Sequence, residues 1–357
     1  SITAFLVYDQ LVATAHIAQY RTTHTPDQQT TYQLVLNQTP CYPEGGGQVG
    51  DTGYLIAGDE RIAIRNTRKE NDLIVHEVAQ LPADLQAPVQ VVVDHARRTR
   101  IATHHTATHL LHAALRQVLG HHVAQRGSLV SDKQLRFDFS HTTKLTPQEI
   151  HDIERLVNEK IRANISLTEH RQMPLAEAKA MGAMALFGEK YGDQVRVVAF
   201  DPSFSVELCG GTHMPATGHL GFFKIIASAA VAAGVRRIEA VAGAAAEEAI
   251  HKQSTWLQAV QDLLKNPKDP EKAVQQLLQE KVTLGKQLAA HEATQVRMLT
   301  EQLRTRFQKQ GAVHHLITEV TLPNAAALRQ VVVALQSVGA PHFIVLTAAV
   351  DQIGRES

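Results

Sequence analysis

Two pairs of metal-binding side chains, each pair four residues apart, are the strongest chemical signal in the sequence. His105 and His109 lie in a segment whose apolar spacing predicts a helix, and there an interval of four places both imidazoles on one face. Cys209 and His213 are separated by a turn with two glycines, which lets the backbone fold so that both side chains face one point. Three nitrogens and one thiolate form a plausible tetrahedral Zn²⁺ site.

Spacing alone leaves alternatives open for these residues. The chain has 20 histidines among 357 residues, so the first pair could be solvated or hydrogen-bonded, and Cys209 could be a buried thiol near a turn. His112, one turn further along, could compete as a ligand. Thr106 stands where the metalloprotease pattern H-E-x-x-H has its glutamate, which disfavours that chemistry. A zinc held by four protein ligands is structural, whereas a catalytic zinc keeps one coordination position open for water or substrate. Spacing does not decide between these two kinds of site.

A glycine-rich run, from Gly45 to Gly50, formally matches the dinucleotide fingerprint G-x-G-x-x-G. The fingerprint requires a helix after the last glycine, whereas here a turn leads into a strand. We therefore interpret the run as a loop at which another backbone or an extended ligand approaches closely. The candidate residues of this substrate loop are Gly46, Gly47, Gln48 and Asp51.

Positive charge is concentrated near the two metal-binding pairs. The chain as a whole has 35 basic and 35 acidic residues, which excludes a wholly basic nucleic-acid binder but allows a local basic face. A solvated surface is the ordinary interpretation of such arginines, and their position beside a candidate metal site adds a polyanionic substrate as the alternative. The candidate nucleic-acid contacts are Arg97, Arg98, Arg100, Arg126, Arg236 and Arg237.

Composition excludes several other classes of protein. With 44% hydrophobic residues the chain can bury a sizeable core, and its two cysteines, Cys41 and Cys209, cannot form a disulfide scaffold. The longest apolar run, residues 225–235, is about half of the ~20 residues that cross a bilayer, and no signal peptide is visible. We expect no membrane association and a cytoplasmic location.

The spacing of apolar and turn residues predicts an α+β protein with four regions. Residues 1–95 carry short β runs at 17–20, 32–36, 54–56, 61–64 and 89–93, which predict a small β-barrel or sandwich. Residues 96–243 predict an α+β domain. Its helices are expected at 97–119, from a capping box at Thr146 to about 163, and at 175–184, with strands at 135–139, 195–200 and 204–208.

The last two regions are predicted from helical composition and from a shorter mixed pattern. Residues 244–311 predict a helical coiled-coil hairpin, broken at 266–270, through which the chain could self-associate. Residues 312–357 predict strands at 313–320 and 342–350 around a helix at 324–338. We expect a truncated C-terminal α/β domain here, because the segment is shorter than a complete domain usually is.

Four motifs occur in an order that identifies a family. They are the glycine run through Gly53, His105-Thr-Ala-Thr-His-Leu-Leu111, Gln125-Arg-Gly-Ser128 and Leu208-Cys-Gly-Gly-Thr-His213. Over residues 1 to about 243 the chain resembles the editing region of the alanyl-tRNA synthetases, and the remainder resembles their C-terminal region more loosely.

The resemblance implies a hydrolase that deacylates tRNA(Ala) mischarged with serine or glycine. It also implies a β-barrel with the glycine-rich loop, followed by a zinc-containing editing domain. The family's metal positions correspond to His105, His109, Cys209 and His213. Its editing-site glutamine corresponds to Gln125, and Thr106 corresponds to a position that approaches a serine hydroxyl.

Several alternatives to an editing fragment remain at this stage. The chain starts at Ser1 and the family's aminoacylation domain does not precede this region, so we expect no ATP-dependent charging. A stand-alone trans-editing protein and a non-catalytic tRNA-binding module with structural zinc are the alternatives. Editing of seryl-tRNA(Thr) is opposed by the predicted barrel and hairpin.

Overall fold

The computed structural model describes residues 3–24, 30–185, 191–336 and 342–350. It has a mixed α+β architecture, as predicted, and divides into two compact units, Ser1–Ser254 and Thr255–Ser357. The four domain boundaries drawn from the sequence stay predictions. Within the described residues, no helix combines the length and apolar character needed to cross a bilayer.

The first unit opens with a curled antiparallel sheet. Seven strands pair in the order β2-β9-β6-β7-β8-β4-β3, and only His16 separates the two edge strands along the chain, so the sheet bends back on itself. A parallel pair, β1 and β5, lies outside it. The nine strands are β1 (Ala4–Phe5), β2 (Val12–Ala15), β3 (Ile17–His24), β4 (Thr30–Leu36), β5 (Gln38–Thr39), β6 (Gly53–Ala57), β7 (Glu60–Glu70), β8 (Leu73–Val78) and β9 (Val89–Val93).

All five strands predicted in this region are confirmed, and four further strands, β1, β2, β5 and β8, were missed. The side chains of Leu34, Leu55, Ile62 and Val91 alternate into one core, as period-two burial requires. Barrel closure beyond this curled sheet stays a prediction.

Helix α1 (His95–Leu119) carries the first pair of candidate ligands. The Asp94 side chain accepts a hydrogen bond from the backbone N–H of Arg97 and caps the helix, which ends at Gly120. Every residue from Ile101 to Leu115 is buried, so α1 is a central helix rather than a surface one.

The rest of the first unit surrounds α1 with two further sheets. One sheet has the order β10-β11-β16-β15 and the other β12-β13-β14. Phe137 and Phe139 of the first sheet pack in one core with Leu110 and Leu111 of α1. The elements are β10 (Gln125–Val130), β11 (Leu135–Ser140), α2 (Pro147–Arg162), β12 (Thr168–Pro174), α3 (Leu175–Ala180), β13 (Gln194–Phe200), β14 (Ser205–Leu208), a 3-10 helix (Thr217–Leu220), β15 (Phe223–Ala232) and β16 (Val235–Ala242).

Most predictions for this region are confirmed, with one correction, and the strands of one hairpin were not predicted. The capping box at Thr146 is present, since its side chain and that of Glu149 each bond the other's backbone N–H. The helix predicted over 175–184 ends at Ala180, two residues before Gly182 at φ 80°. The apolar run 225–235 lies in a β-hairpin that turns at Gly234.

The second unit contains α5, α6 and a small sheet, and the boundary between the units falls inside α4 (Ala244–Leu263). The predicted break at 266–270 is confirmed, because Asp269 caps α5 (Pro270–Arg304). Strand β18 (Val313–Leu322) pairs antiparallel with β17 (Gln308–Gln310) and parallel with β19 (His342–Val350), with α6 (Ala325–Gln336) between them in the chain. The strand and helix predictions here are confirmed, although positions 337–338 of the predicted helix and the tail 351–357 lie outside the described residues. The hairpin stays a prediction.

A buried ion pair fastens α1 to the glycine-rich loop. Arg98 donates to both carboxylate oxygens of Asp51, with Nε 2.9 Å from Oδ2, and to the backbone carbonyls of Val7 and Pro40. Only 8% of the Arg98 side chain is exposed. The prediction that Arg98 contacts tRNA is therefore not supported, because its guanidinium is committed to this link.

We predict that Arg98→Met lowers the free energy of unfolding by about 3–5 kcal/mol, because it leaves the Asp51 carboxylate buried without its partner. Arg100→Met, an exposed position on the same helix, is the matched control and should change it by less than about 0.5 kcal/mol. Denaturant unfolding of both variants measures the difference. Equal stability of the two would contradict the role of the pair.

Candidate metal centre and adjoining cavity

The four predicted ligands come together at one point. Helix α1 supplies His105 and His109, Cys209 follows β14, and His213 ends the turn after it. Cys209 Sγ lies 3.4 Å from His105 Nε2 and 3.3 Å from His213 Nε2. One ligand atom from each residue lies within 4.8 Å of all the others.

The chemistry of these donors fits a metal ion. His109 Nδ1 is buried and has no hydrogen-bond partner among the described residues, as expected of a nitrogen that reserves its lone pair for a metal. Burial lowers the pKa of His105 and His213 well below the usual value, and neighbouring imidazoles add to the effect. Neutral imidazoles are the form that binds metals, and with one thiolate they match Zn²⁺.

The glycine-rich loop holds the first ligand. Gln48 is buried, and its Oε1 accepts hydrogen bonds from His105 Nδ1 at 2.6 Å and from the Thr212 backbone N–H at 2.9 Å. Its Nε2 donates to Thr212 Oγ1 at 3.0 Å. Because Nδ1 of His105 carries the hydrogen, Nε2 is left unprotonated and facing Cys209.

Glycines allow this loop to approach another strand. Gly47 has φ 80°, and a Cβ there would lie 2.7 Å from the Ser128 carbonyl oxygen. The Val49 N–H donates to the Val130 carbonyl at 3.0 Å, and the Val130 N–H donates to Gly47 at 2.7 Å. Close approach of another backbone, one of the two interpretations of the run, is confirmed.

Two of the residues predicted to form the substrate loop have no free surface in the structure. Gln48 and Asp51 are both buried and committed to His105, Thr212 and Arg98, which leaves them no surface for a substrate. Gly46 remains exposed and lines a cavity of about 480 Å³.

Thr106 contacts a ligand rather than open space. It is fully buried, and its Oγ1 lies 3.1 Å from His213 Nδ1 and accepts the Met214 backbone N–H at 3.1 Å. A metal-binding Nε2 requires the hydrogen on Nδ1, so His213 donates to Thr106. The expected approach of Thr106 to a serine hydroxyl is not supported, because the residue is enclosed.

Gln125 lies at the start of β10 and is half-buried. Its cross-strand neighbour is Phe139, whose ring packs in the core with α1. Directly opposed residues of antiparallel strands share a face, so Gln125 is on the α1 side of the sheet. Its role in the editing site stays a prediction.

A cavity of about 370 Å³ opens on His213. Its lining includes Tyr8, Glu169, Arg196, Thr212 and Met214. His213 is the least buried of the three candidate histidine ligands. Among the described residues, this cavity therefore gives a small molecule access to the cluster. It has a size suited to a small organic group.

Two side chains that the sequence reasoning missed hold the cysteine turn beside this cavity. Arg196 donates to the carbonyls of Cys209 at 3.0 Å and Gly211 at 2.7 Å and forms an ion pair with Glu169. Tyr8 donates to the Gly210 carbonyl at 2.6 Å, and its ring centre lies 4.0 Å from the Arg196 guanidinium. No local pattern marks either residue, since both act on a distant turn.

Comparisons with known proteins give matches over most of the chain. A family model described as "tRNA synthetases class II (A)" matches residues 1–98, and one described as "Threonyl and Alanyl tRNA synthetase second additional domain" matches residues 195–239. An alanine–tRNA ligase of Cytophaga hutchinsonii is 50% identical over 97% of this chain, and one of Parabacteroides distasonis is 44% identical over 97%. This chain belongs to the alanyl-tRNA synthetase family. It spans 40% and 39% of the length of those two relatives.

The arginines that were predicted to contact tRNA differ in their exposure and in their ion pairs. Arg100 and Arg126 are exposed. Arg97 forms an ion pair with Asp132 at 3.2 Å and Arg237 one with Asp138 at 2.7 Å, whereas Arg236 is buried. Exposure among the six is therefore greatest at Arg100 and Arg126.

We predict that Gly211→Ala weakens Zn²⁺ binding about tenfold or more, because a Cβ at that position would overlap the His105 ring. Gly210→Ala is the matched control, since a Cβ there meets nothing within 4 Å. Competition with a chromophoric chelator measures both affinities. Equal affinities would contradict the close packing of the turn on the ligand.

Proposed function

We propose that this chain hydrolyses the ester bond of tRNA(Ala) mischarged with serine or glycine. The observation that carries the proposal is the cluster of three histidines and one cysteine beside a cavity that opens on His213. The family match over residues 195–239 supports it, because that domain is shared by threonyl and alanyl synthetases.

The chemistry of amino-acid selection supports a second, hydrolytic site. A pocket that accepts alanine cannot strongly exclude glycine, which is smaller, and an added hydroxyl costs little in an apolar pocket. A separate site that hydrogen-bonds the hydroxyl can reject its analogue by roughly 10⁴ to 10⁵. Polar side chains beside the cavity, such as Thr212 and Glu169, are of the type that such a site requires.

The chain's own residues prepare the centre for this reaction. His105, His109, Cys209 and His213 would hold Zn²⁺, which supplies Lewis-acid polarisation or holds the substrate when bound. Gln48 and Thr106 fix two of the imidazoles, so that the site is rigid before the substrate arrives. The ester to the terminal ribose is already labile, so positioning by the cavity supplies much of the acceleration. We propose Gln125 as a further group of this site.

The partner we propose is tRNA(Ala), bound partly by the exposed Arg100 and Arg126 through phosphate contacts. We also propose self-association through residues 244–311 or the C-terminal region. The support is that α5 exposes apolar side chains, among them Leu277, Leu284 and Leu288. A cytoplasmic location fits a chain of 357 residues with only two cysteines, Cys41 and Cys209.

One observation favours a second candidate, a tRNA-binding module with a structural metal. Four residues could bind the metal, and a zinc with four protein ligands is ordinarily structural. Such a module would bind tRNA and need the metal for stability, but it would not release the amino acid.

Deacylation of Ser-tRNA(Ala) beside Ala-tRNA(Ala) tests the proposal. We expect fast loss of serine, slow loss of alanine, and loss of the fast reaction in Cys209→Ala, which removes the thiolate. The control is Cys41→Ala, a buried cysteine in the core of the curled sheet, which should keep the reaction.

Three outcomes would separate the candidates. Release of serine by Cys209→Ala without bound metal would contradict the role of the centre. Tight tRNA binding with no release of either amino acid would support the structural module. Equal rates for serine and alanine would contradict a site selective for the hydroxyl.

A further inference from the structure

A buried carboxylate, that of Glu207, lies beside the metal cluster. Glu207 is on β14, two residues before Cys209, and its side chain is only 3% exposed. Its Oε2 lies 3.6 Å from His109 Nε2, an electrostatic contact longer than a hydrogen bond. One ring nitrogen of His109 therefore faces the carboxylate, while Nδ1 is left without a hydrogen-bond partner among the described residues.

The other oxygen of this carboxylate is held by His112. Glu207 Oε1 lies 3.1 Å from His112 Nδ1, a nitrogen that donates to a carboxylate. His112 is one turn beyond His109 on α1, is buried, and contacts the Phe137 ring at an interplanar angle of 45°, with ring centres 5.2 Å apart. It is not among the four residues whose ligand atoms cluster, so the geometry gives it a carboxylate partner instead of a place in the ligand set.

Charge balance indicates why a carboxylate is buried here. An isolated buried carboxylate is costly, and the His112 ring supplies only one hydrogen bond to that of Glu207. A divalent cation held by one thiolate and three neutral imidazoles leaves one positive charge. The Glu207 carboxylate cancels that charge, so the ion, its four ligands and this carboxylate sum to zero.

We propose that Glu207 is a positioning residue for the metal centre. Its carboxylate orients the His109 ring and balances the charge of the bound ion, and His112 holds that carboxylate in place. The inference rests on the proposed metal binding and extends it to two residues that are not ligands. Carboxylates that contact a metal-binding histidine typically change metal affinity by about 10–100-fold when removed.

The test compares Glu207→Gln with a matched control in the complete chain. Glu154→Gln removes another carboxylate of low exposure from the same unit, one that pairs with Lys224 at 2.9 Å and accepts from the Ile225 N–H at 2.8 Å. Zn²⁺ affinity is measured by chelator competition, and Co²⁺ absorption reports the ligand geometry. We expect Glu207→Gln to bind Zn²⁺ about 10–100-fold more weakly with a changed Co²⁺ spectrum, and Glu154→Gln to match the parent chain.

A second variant keeps the test decisive if Glu207→Gln does not fold. His112→Gln retains the carboxylate but removes the imidazole that holds it, so we expect a weaker change in the same direction. Zn²⁺ affinity and a Co²⁺ spectrum like those of the parent chain in the folded variants would overturn the inference and leave Glu207 a structural partner of His112. Failure of the parent chain itself to bind Zn²⁺ would instead overturn the metal centre, and with it this inference.

Discussion

The hydrogen bond between Gln48 and His105 is the interaction on which the site depends. It joins a loop of the curled sheet to the central helix at 2.6 Å, across 57 positions of sequence. The same amide also bonds Thr212, in the turn that supplies Cys209 and His213. One side chain thus fixes both halves of the metal centre, and the glycine-rich loop is part of the centre's support.

Three further features allow the loop, the helix and the cysteine turn to meet at the metal centre. The loop reaches the centre only because Gly47 can lie against Ser128, and the turn can pack on His105 only because Gly211 has no Cβ. The Arg98–Asp51 ion pair anchors the loop at its other end. Burial then keeps the histidines neutral, which is the state that a metal requires, so packing and chemistry depend on the same contacts.

Local patterns in the sequence predicted the parts of this structure that local physics determines. Four-residue spacing on a helix was enough to group His105 with His109, and the capping box at Thr146 marked the start of α2. The sequence analysis did not predict the contacts of Gln48, Thr106 and Glu207. Their partners are 57, 107 and 95 positions away, and a local sequence pattern carries no information on such distant contacts. The hairpin β15–β16 was missed because an alanine-rich apolar run gives no clear period.

The most direct test of the account is the rate of Ser-tRNA(Ala) deacylation at graded zinc occupancy. The chain would be prepared with zero to one Zn²⁺ per molecule, and circular dichroism would confirm that the fold is retained at each level. We predict a rate proportional to bound zinc, with a loss on removal that added Zn²⁺ restores. A rate that stays constant while the metal is lost and the fold is kept would contradict a hydrolytic centre built from His105, His109, Cys209 and His213.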